Sequence, residues 1–152
     1  MKLTNKKGVT LLELIVVFII IGIGAALLTP SIGPWLSRYR LRSATRDIVS
    51  TMRTAQMKAV SNNSPCRVNL NPGEIGANSY ILERDTGGGY FADGALQTLP
   101  SGITISDNTL PNQHAEFNPN STSSSGSVIL QDSKKNQKTI TLTPATGRVK
   151  LE

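Results

Sequence analysis

The chain has 152 residues, a hydrophobic fraction of 38% and a formal net charge of +6 at pH 7, with one cysteine and one histidine. This length allows one domain of ordinary size, and a single cysteine excludes an internal disulfide. The sequence contains no cysteine–histidine cluster, phosphate-binding loop or nucleophile–histidine arrangement, which argues against a metal site, a cofactor, catalytic residues and enzyme activity.

A short basic leader, residues 1–8, ends at Gly8. An ordinary secretory signal places small residues at a cleavage site after an apolar stretch of about 7–15 residues, whereas Gly8 precedes the apolar stretch of this chain. Cleavage after Gly8 would therefore keep the apolar segment. It would also remove three lysines and lower the formal charge from +6 to +3.

Residues 9–29 are a predominantly apolar run whose one charged residue is Glu13. A helix over this run would extend roughly 31 Å, close to the roughly 30 Å hydrocarbon core of a bilayer, which predicts a membrane-spanning helix. A carboxylate inside such a span costs a few kcal/mol and marks a functional position. Glu13 therefore requires a positive partner from outside the span, and the alternative is a protonated glutamate at the membrane edge.

The residues around Gly8 resemble the type III signal of type IV pilins and pseudopilins, and they read Lys6-Lys7-Gly8-Val9-Thr10-Leu11-Leu12-Glu13-Leu14. The resemblance implies that a prepilin peptidase and methyltransferase cuts between Gly8 and Val9 and methylates Val9. It also implies that Glu13 pairs with the amino terminus of a neighbouring subunit and sets the axial stagger of a filament. Val9 departs from the phenylalanine or methionine usual at this position, so we expect slower methylation at worst.

The same resemblance implies a single-pass protein of the bacterial inner membrane, with its carboxy-terminal domain in the periplasm, that is incorporated in a pilus or pseudopilus. Its partners would be the lipid bilayer, the inner-membrane assembly platform and other pilin or pseudopilin subunits, contacted through the N-terminal helix. Basic residues on the two sides of the span nearly balance, so this orientation rests on the resemblance. A membrane-anchored periplasmic binding domain that never polymerises is an alternative.

Residues 30–64 are predicted to be the amphipathic second half of the N-terminal helix. In pilins, a proline at the distance of Pro30 from the mature start lies where subunits lose helix on assembly. The resemblance therefore makes Pro30 a candidate for helix melting, and a helix that bends at Pro30 and Pro34 is the alternative.

Beyond Pro34, apolar or small residues recur every three or four positions, as on one stripe of a helix. The stripe consists of Leu41, Ala44, Ile48, Met52, Ala55 and Ala59. It is predicted to pack on a sheet, with an exposed basic face that carries Arg42, Arg46, Arg53 and Lys58. The helix should end near Asn62 because Pro65 follows.

Residues 65–152 are predicted to form a β-rich periplasmic domain, which gives an α+β, pilin-like fold with a long N-terminal helix packed on a small antiparallel β-sheet. Cys66 is expected to be buried, and His114 to be a surface or strand residue. The segments 85–89 and 144–147 have the composition of hairpin connections. The predicted strands are Arg67–Leu70, Ser79–Arg84, Ile103–Ile105, Ala115–Phe117, Val128–Gln131, Thr139–Thr143 and Arg148–Leu151.

Several loose motifs in this second half are similar to the GspH/FimT group of minor pseudopilins and minor pilins; they are Ser43-Ala44 through Ala59-Val60, Leu99-Pro100-Ser101-Gly102, Phe117-Asn118-Pro119 and Gly147-Arg148-Val149. This similarity implies a minor structural subunit of a type II secretion pseudopilus or a type IV pilus, acting in initiation or at the tip.

The end of the chain also raises DNA binding for uptake, because DNA-binding members of that group end in Gly-Arg-x-Arg. The corresponding residues here are Gly147-Arg148-Val149-Lys150. Arg148 and Lys150 are therefore candidate DNA- or anion-binding residues. Residues 138–142 and 148–151 alternate apolar and polar side chains, so Arg148 and Lys150 are expected on one exposed sheet face, with Lys134, Lys135 and Lys138 nearby. The alternative, a solvated edge face, is favoured because no aromatic residues interleave the charges.

Overall fold

A computed structural model describes residues 8–28 and 32–152 of the chain. It divides into two compact units, Met1–Leu36 and Ser37–Glu152. The second unit contains the buried core and the β-strands.

The first unit contains helix α1, Leu11–Leu28, and the start of helix α2, Ile32–Asn62. Helix α1 is continuous through Gly22 and Gly24. Pro34 lies in the first turn of α2, where the absence of its N–H breaks no intrahelical hydrogen bond. Pro30 lies outside the described residues, so its predicted role in helix melting stays a prediction.

No helix within the described ranges is both long enough and apolar enough to cross a membrane.

The part of α2 that lies in the second unit buries the stripe predicted from the sequence. Its six residues are between 0% and 3% exposed: Leu41, Ala44, Ile48, Met52, Ala55 and Ala59. The buried Thr45 hydroxyl also lies on this helix and donates a hydrogen bond to the carbonyl of Leu41 at 2.6 Å. The helix ends at Asn62, as predicted, and Asn63 follows with a positive φ of 48°.

Two antiparallel sheets follow. The first has the order β3-β2-β1-β6, with β4 paired to the other end of β2. A short helix α3, Pro72–Ile75, connects β1 to β2. The strands of this sheet are β1 (Cys66–Asn69), β2 (Ser79–Asp85), β3 (Tyr90–Ala92), β4 (Gln97–Thr98) and β6 (His114–Phe117).

The second sheet has the order β5-β7-β8-β9, again with every neighbouring pair antiparallel. Its strands are β5 (Ile103–Asn108), β7 (Gly126–Asp132), β8 (Gln137–Thr143) and β9 (Arg148–Leu151). Each of the predicted strands is present in one of the two sheets. The predicted α+β class is confirmed, and the predicted sheet is divided in two.

The core joins the buried stripe of α2 to the inner faces of both sheets. Alternation along each strand supplies these inner faces, with Val68 in β1, Phe117 in β6 and Ile140 in β8 at 0% exposure. Cys66 is also fully buried, as expected. His114 is a strand residue and is buried at the start of β6.

Candidate functional site

The predicted cleavage site lies in a short non-helical segment before α1. Gly8, Val9 and Thr10 precede the first helical residue, and all three are exposed. The Val9 side chain is 73% exposed. The Gly8–Val9 peptide bond is therefore free of both helix and core, as a scissile bond must be to enter an active site.

Glu13 occupies the first turn of α1. Its backbone N–H donates a hydrogen bond to Thr10 Oγ1 at 3.2 Å, which makes Thr10 the N-cap of the helix. The Thr-x-x-Glu spacing is that of a capping box, and a carboxylate is stabilised near the positive end of the helix dipole. The Glu13 side chain is exposed, and the ion pairs among the described residues all involve positions from Lys58 onward.

Helix α1 exposes large apolar side chains on every side. Those from Leu11 to Ile23 are between 45% and 77% exposed. Apart from Glu13, the described side chains of this helix form no polar stripe. This segment can therefore supply an extended apolar contact surface beside the single carboxylate of Glu13.

At the other end of the chain, Arg148 and Lys150 are exposed and lie on the same face of β9, because the buried Val149 alternates with them. Lys150 Nζ lies 2.6 Å from Glu152 Oε1. Lys138 occupies the opposite face of the sheet, since the β8 partner of Lys150 is Thr141, three positions away.

The structure adds Arg53 to the two predicted basic residues. A groove of about 520 Å³ lies between α2 and β9. It is lined by Arg53, Gln56, Met57, Arg148, Val149, Lys150 and Leu151, and we call this set the β9 edge groove. The sequence places Arg53 on the basic face of α2, but its approach to β9 depends on tertiary packing.

A polar network on the outer face of the first sheet was not predicted. Arg67 Nε donates to Glu83 Oε2 at 2.6 Å, and Arg67 Nη1 lies 2.9 Å from His114 Nδ1. Because arginine only donates, Nδ1 must be the acceptor, which leaves the proton on Nε2. His114 Nε2 is 3.3 Å from Glu74 Oε2, so this proton faces a carboxylate.

Tyr90 closes this network from β3. The guanidinium carbon of Arg67 lies 4.1 Å from the centre of the Tyr90 ring. Burial, followed by a hydrogen bond to Glu116, raises the pKa of the Tyr90 hydroxyl. Arg67 and Glu83 pair their charges within this network, whereas His114 Nε2 is buried and makes no hydrogen bond, although Glu74 Oε2 lies 3.3 Å away. Among the described residues, no group of side chains could hold a metal ion.

Another groove, of about 530 Å³, lies between α2 and residues 93–100. Lys58 Nζ lies 2.9 Å from Asp93 Oδ2 on its lining, so these two charges neutralise each other. The hydroxyls of Thr51 and Thr54 also line it. This arrangement supplies hydrogen-bonding groups without an activated nucleophile.

Two family profiles match the chain. The prokaryotic N-terminal methylation motif matches residues 3–29, and type II transport protein GspH matches residues 44–146. No curated protein matches the chain.

Solved structures share the fold. The type IV minor pilin FimU of Pseudomonas aeruginosa superposes with a TM-score of 0.61 at 16% identity, covering 78% of this chain and 92% of that one. The minor pseudopilin EpsH from the type II secretion system of Vibrio cholerae gives a TM-score of 0.58 at 8% identity, covering 74% of this chain and 96% of that one. At such identities the likeness establishes the fold alone.

Proposed function

Because this chain belongs to the family of the type II transport protein GspH and carries an N-terminal methylation motif, we propose that it is a minor structural subunit, held in the bacterial inner membrane and assembled into a type II secretion pseudopilus or a type IV pilus. The observation that carries the proposal is the exposed, all-round apolar surface of α1. Such a surface would contact lipid before assembly and neighbouring helices afterwards.

In the proposed processing step, prepilin peptidase cuts between Gly8 and Val9 and the new amino group is methylated. The exposed, non-helical position of these residues supports this step. The ammonium at Val9 would then lie near the positive end of α1, which is unfavourable unless a carboxylate is close. Glu13 of an adjacent subunit supplies that carboxylate, so each subunit is positioned against the next.

Mass spectrometry of the protein purified from membranes tests the processing step. We expect an N-terminal peptide that begins at Val9 and carries one methyl group. The same measurement on a Gly8→Ala variant serves as the control, since an altered cleavage position should leave the leader attached. An intact Met1 on the wild-type chain would overturn the assignment to this class of subunit.

Substitution of Glu13 tests the assembly step separately. Glu13→Ala should still be cleaved but should be lost from sheared filaments, because the amino terminus of its neighbour has no carboxylate partner. Asp107→Ala removes an exposed carboxylate from the domain and is the matched control, expected to assemble normally. Normal incorporation of Glu13→Ala would eliminate the pairing and would favour a glutamate that is protonated at the membrane edge.

A position at the tip or in initiation is the finer part of the proposal. It is supported by fold likeness to two proteins that are both described as minor subunits. Quantitative mass spectrometry of purified filaments should find this chain far below the major subunit, and immunogold labelling should be confined to filament ends. Labelling along the whole length would remove this position.

DNA binding is a second candidate function, favoured by the approach of Arg53 to Arg148 and Lys150 in one groove. An electrophoretic retardation assay on the full chain in nonionic detergent tests it. Arg148→Ala with Lys150→Ala should weaken duplex binding and its salt dependence, whereas Lys134→Ala with Lys135→Ala should not. Equal binding by both double variants would exclude these residues.

A further inference from the structure

The β9 edge groove borders a strand with one unpaired side. Strand β9 pairs with β8 and ends the second sheet, and among the described residues no strand pairs with its other side. The backbone alternation can be fixed from one pair: Glu152 N donates to Thr139 O at 2.9 Å and Thr139 N donates to Glu152 O at 3.2 Å. Hydrogen-bonded pairs alternate along an antiparallel ladder. Val149 and Leu151 therefore direct their N–H and C=O groups away from β8.

The side chains beside these open backbone groups differ on the two faces. Arg148 and Lys150 lie on the outer face, and Val149 and Leu151 lie on the inner face. On the inner side, the groove is bounded by Met57, which is 64% exposed, and by Leu151, which is 41% exposed. A strand laid along β9 would meet cations on one face and apolar surface on the other.

We propose that the β9 edge groove binds an extended acidic segment of a different protein by strand addition. Val149 and Leu151 supply the backbone hydrogen bonds, as in other cases where a peptide extends an open sheet edge. Carboxylates on the outer face of the segment pair with Arg148 and Lys150, and its aliphatic side chains pack against Met57 and Leu151. The ligand is therefore a segment in which acidic and aliphatic residues alternate.

The charges of the groove favour an acidic segment of another protein over a second copy of this chain. Two β9 edges placed side by side would bring Arg148 and Lys150 of one copy against the same cations of the other, which is unfavourable. Three cations and no carboxylate line the groove. Glu152 lies beside it, 2.6 Å from Lys150, but this pair is exposed, so a carboxylate of the bound segment can replace it at little cost. The charges that oppose self-pairing therefore favour an acidic partner.

The contact is short, because four residues form β9. Strand addition here is expected to be weak by itself and to become effective when other contacts hold the two proteins together. The inference does not depend on the proposed filament role, since it concerns the domain alone and is tested with a peptide.

The test uses the full chain in nonionic detergent and a fluorescein-labelled peptide that alternates glutamate and valine, with a peptide that alternates lysine and valine as control. Binding is followed by fluorescence polarisation at two salt concentrations. We expect the acidic peptide to bind and the basic one not to bind, with affinity falling as salt rises.

Two variants isolate the backbone contact. Leu151→Pro and Leu151→Ala both lose the leucine side chain, but only proline loses the outward N–H. The dissociation constant should be about fivefold higher for Leu151→Pro than for Leu151→Ala. Arg148→Ala tests the charge contact without altering the backbone and should weaken binding about threefold. Arg42→Ala is the control, because Arg42 lies on an exposed part of α2 outside the groove, and it should have no effect.

Amide hydrogen exchange distinguishes the occupants. Strand addition should slow exchange at Val149 and Leu151 on peptide binding, and leave Lys150, already bonded to β8, unchanged. Absence of acidic-peptide binding, equal binding to the two Leu151 variants, or unchanged exchange at Val149 and Leu151 would each overturn the proposal. Duplex DNA that binds the groove while the acidic peptide does not bind would also overturn it, and so would a dimer in light scattering that Leu151→Pro abolishes.

Discussion

The two long helices use their apolar residues in opposite ways. In α1 the large apolar side chains are exposed, whereas in the domain part of α2 the six stripe residues are between 0% and 3% exposed. The difference follows from the pattern: α2 alternates an apolar stripe with charged positions, and α1 has no polar face. The sheets of the same chain can bury a stripe, whereas a helix without a polar face cannot be covered by packing on one side alone.

The same isoleucine-to-alanine substitution should have very different effects on stability in the two helices. Ile48→Ala in α2 should lower the free energy of unfolding of the domain by about 4 kcal/mol, because Ile48 is 0% exposed and a cavity remains. Ile19→Ala in α1, where the side chain is 55% exposed, should change it by less than about 0.5 kcal/mol. Chemical denaturation in nonionic micelles measures both. Similar losses in the two variants would show that α1 belongs to the folding unit.

A substitution at Gly147 tests how closely the turn before β9 packs against α2. A Cβ at Gly147 would lie 2.5 Å from Gln56 Nε2 and 2.6 Å from the Ser121 carbonyl oxygen, at a φ of 59°. Gly147→Ala should therefore destabilise the domain by about 3 kcal/mol, through strain and a close contact with α2. Gly88→Ala is the control, since nothing lies within 4 Å of its added Cβ. An unchanged denaturation midpoint for Gly147→Ala would mean that this turn moves freely.

An ion pair on the outer face of the first sheet stabilises the domain away from the apolar stripe of α2. Arg67 and Glu83 form a pair at 2.6 Å, with side chains 18% and 12% exposed. Glu83→Ala should cost roughly 2 kcal/mol, because it leaves the half-buried guanidinium without its nearest carboxylate. Glu152→Ala removes a pair whose side chains are 60% and 54% exposed, and should leave the thermal midpoint close to that of the wild type. If thermal melts show the same loss of stability in both variants, burial does not determine how much an ion pair stabilises this domain.

The smallest effect on stability is expected at Asp132, which contacts Ser37 on α2. Asp132 accepts hydrogen bonds from Ser37 Oγ at 2.9 Å and from Asn136 Nδ2 at 2.8 Å. Burial alone would raise the pKa of Asp132, but the hydrogen bonds from Asn136, Ser37 and Lys134 lower it overall. Because the pKa is depressed in the folded state, this stabilisation is complete above about pH 4, the ordinary range of aspartate, and is lost as the pH falls through the lower value.

Asp132→Asn should therefore lower the free energy of unfolding slightly at neutral pH and reduce its fall in the acid range, because the variant lacks the carboxylate that these hydrogen bonds stabilise. Denaturation curves collected between neutral and strongly acidic pH would measure the slope. Asp107→Asn, an exposed carboxylate in β5, serves as the control and should leave the slope of the wild type. If both variants follow the wild-type curve, Asp132 does not contribute to acid sensitivity.

Periodicity made the helix stripe and the last hairpin predictable. Leu41 through Ala59 follow a single helical spacing, and all six positions are buried. The alternation in β8 and β9 likewise placed Leu142 and Val149 opposite one another on the buried face. In both cases the signal is local, because neighbours within one turn or one hairpin determine which side is buried.

Contacts between residues far apart in the sequence could not be predicted from periodicity. Arg67 and Glu83 are 16 positions apart, and their pairing depends on the register of β1 against β2. The short strands β3 and β4 were missed because three and two residues carry too little alternation to be recognised. Of the candidate functional residues, Arg148 and Lys150 were found on one face as expected, while Arg53 joined them only through the packing of α2 beside β9.

The burial of Cys66 has a practical consequence for following this protein in assemblies. Burial, and then the nearby carboxylate of Asp93, raise the pKa of the Cys66 thiol, which keeps it out of the reactive thiolate form. Since Cys66 is the only cysteine, we expect maleimide reagents to leave the folded chain unlabelled. A cysteine introduced on the surface, for example by Met57→Cys, would accept a fluorophore or spin label at one defined point without removal of the native residue.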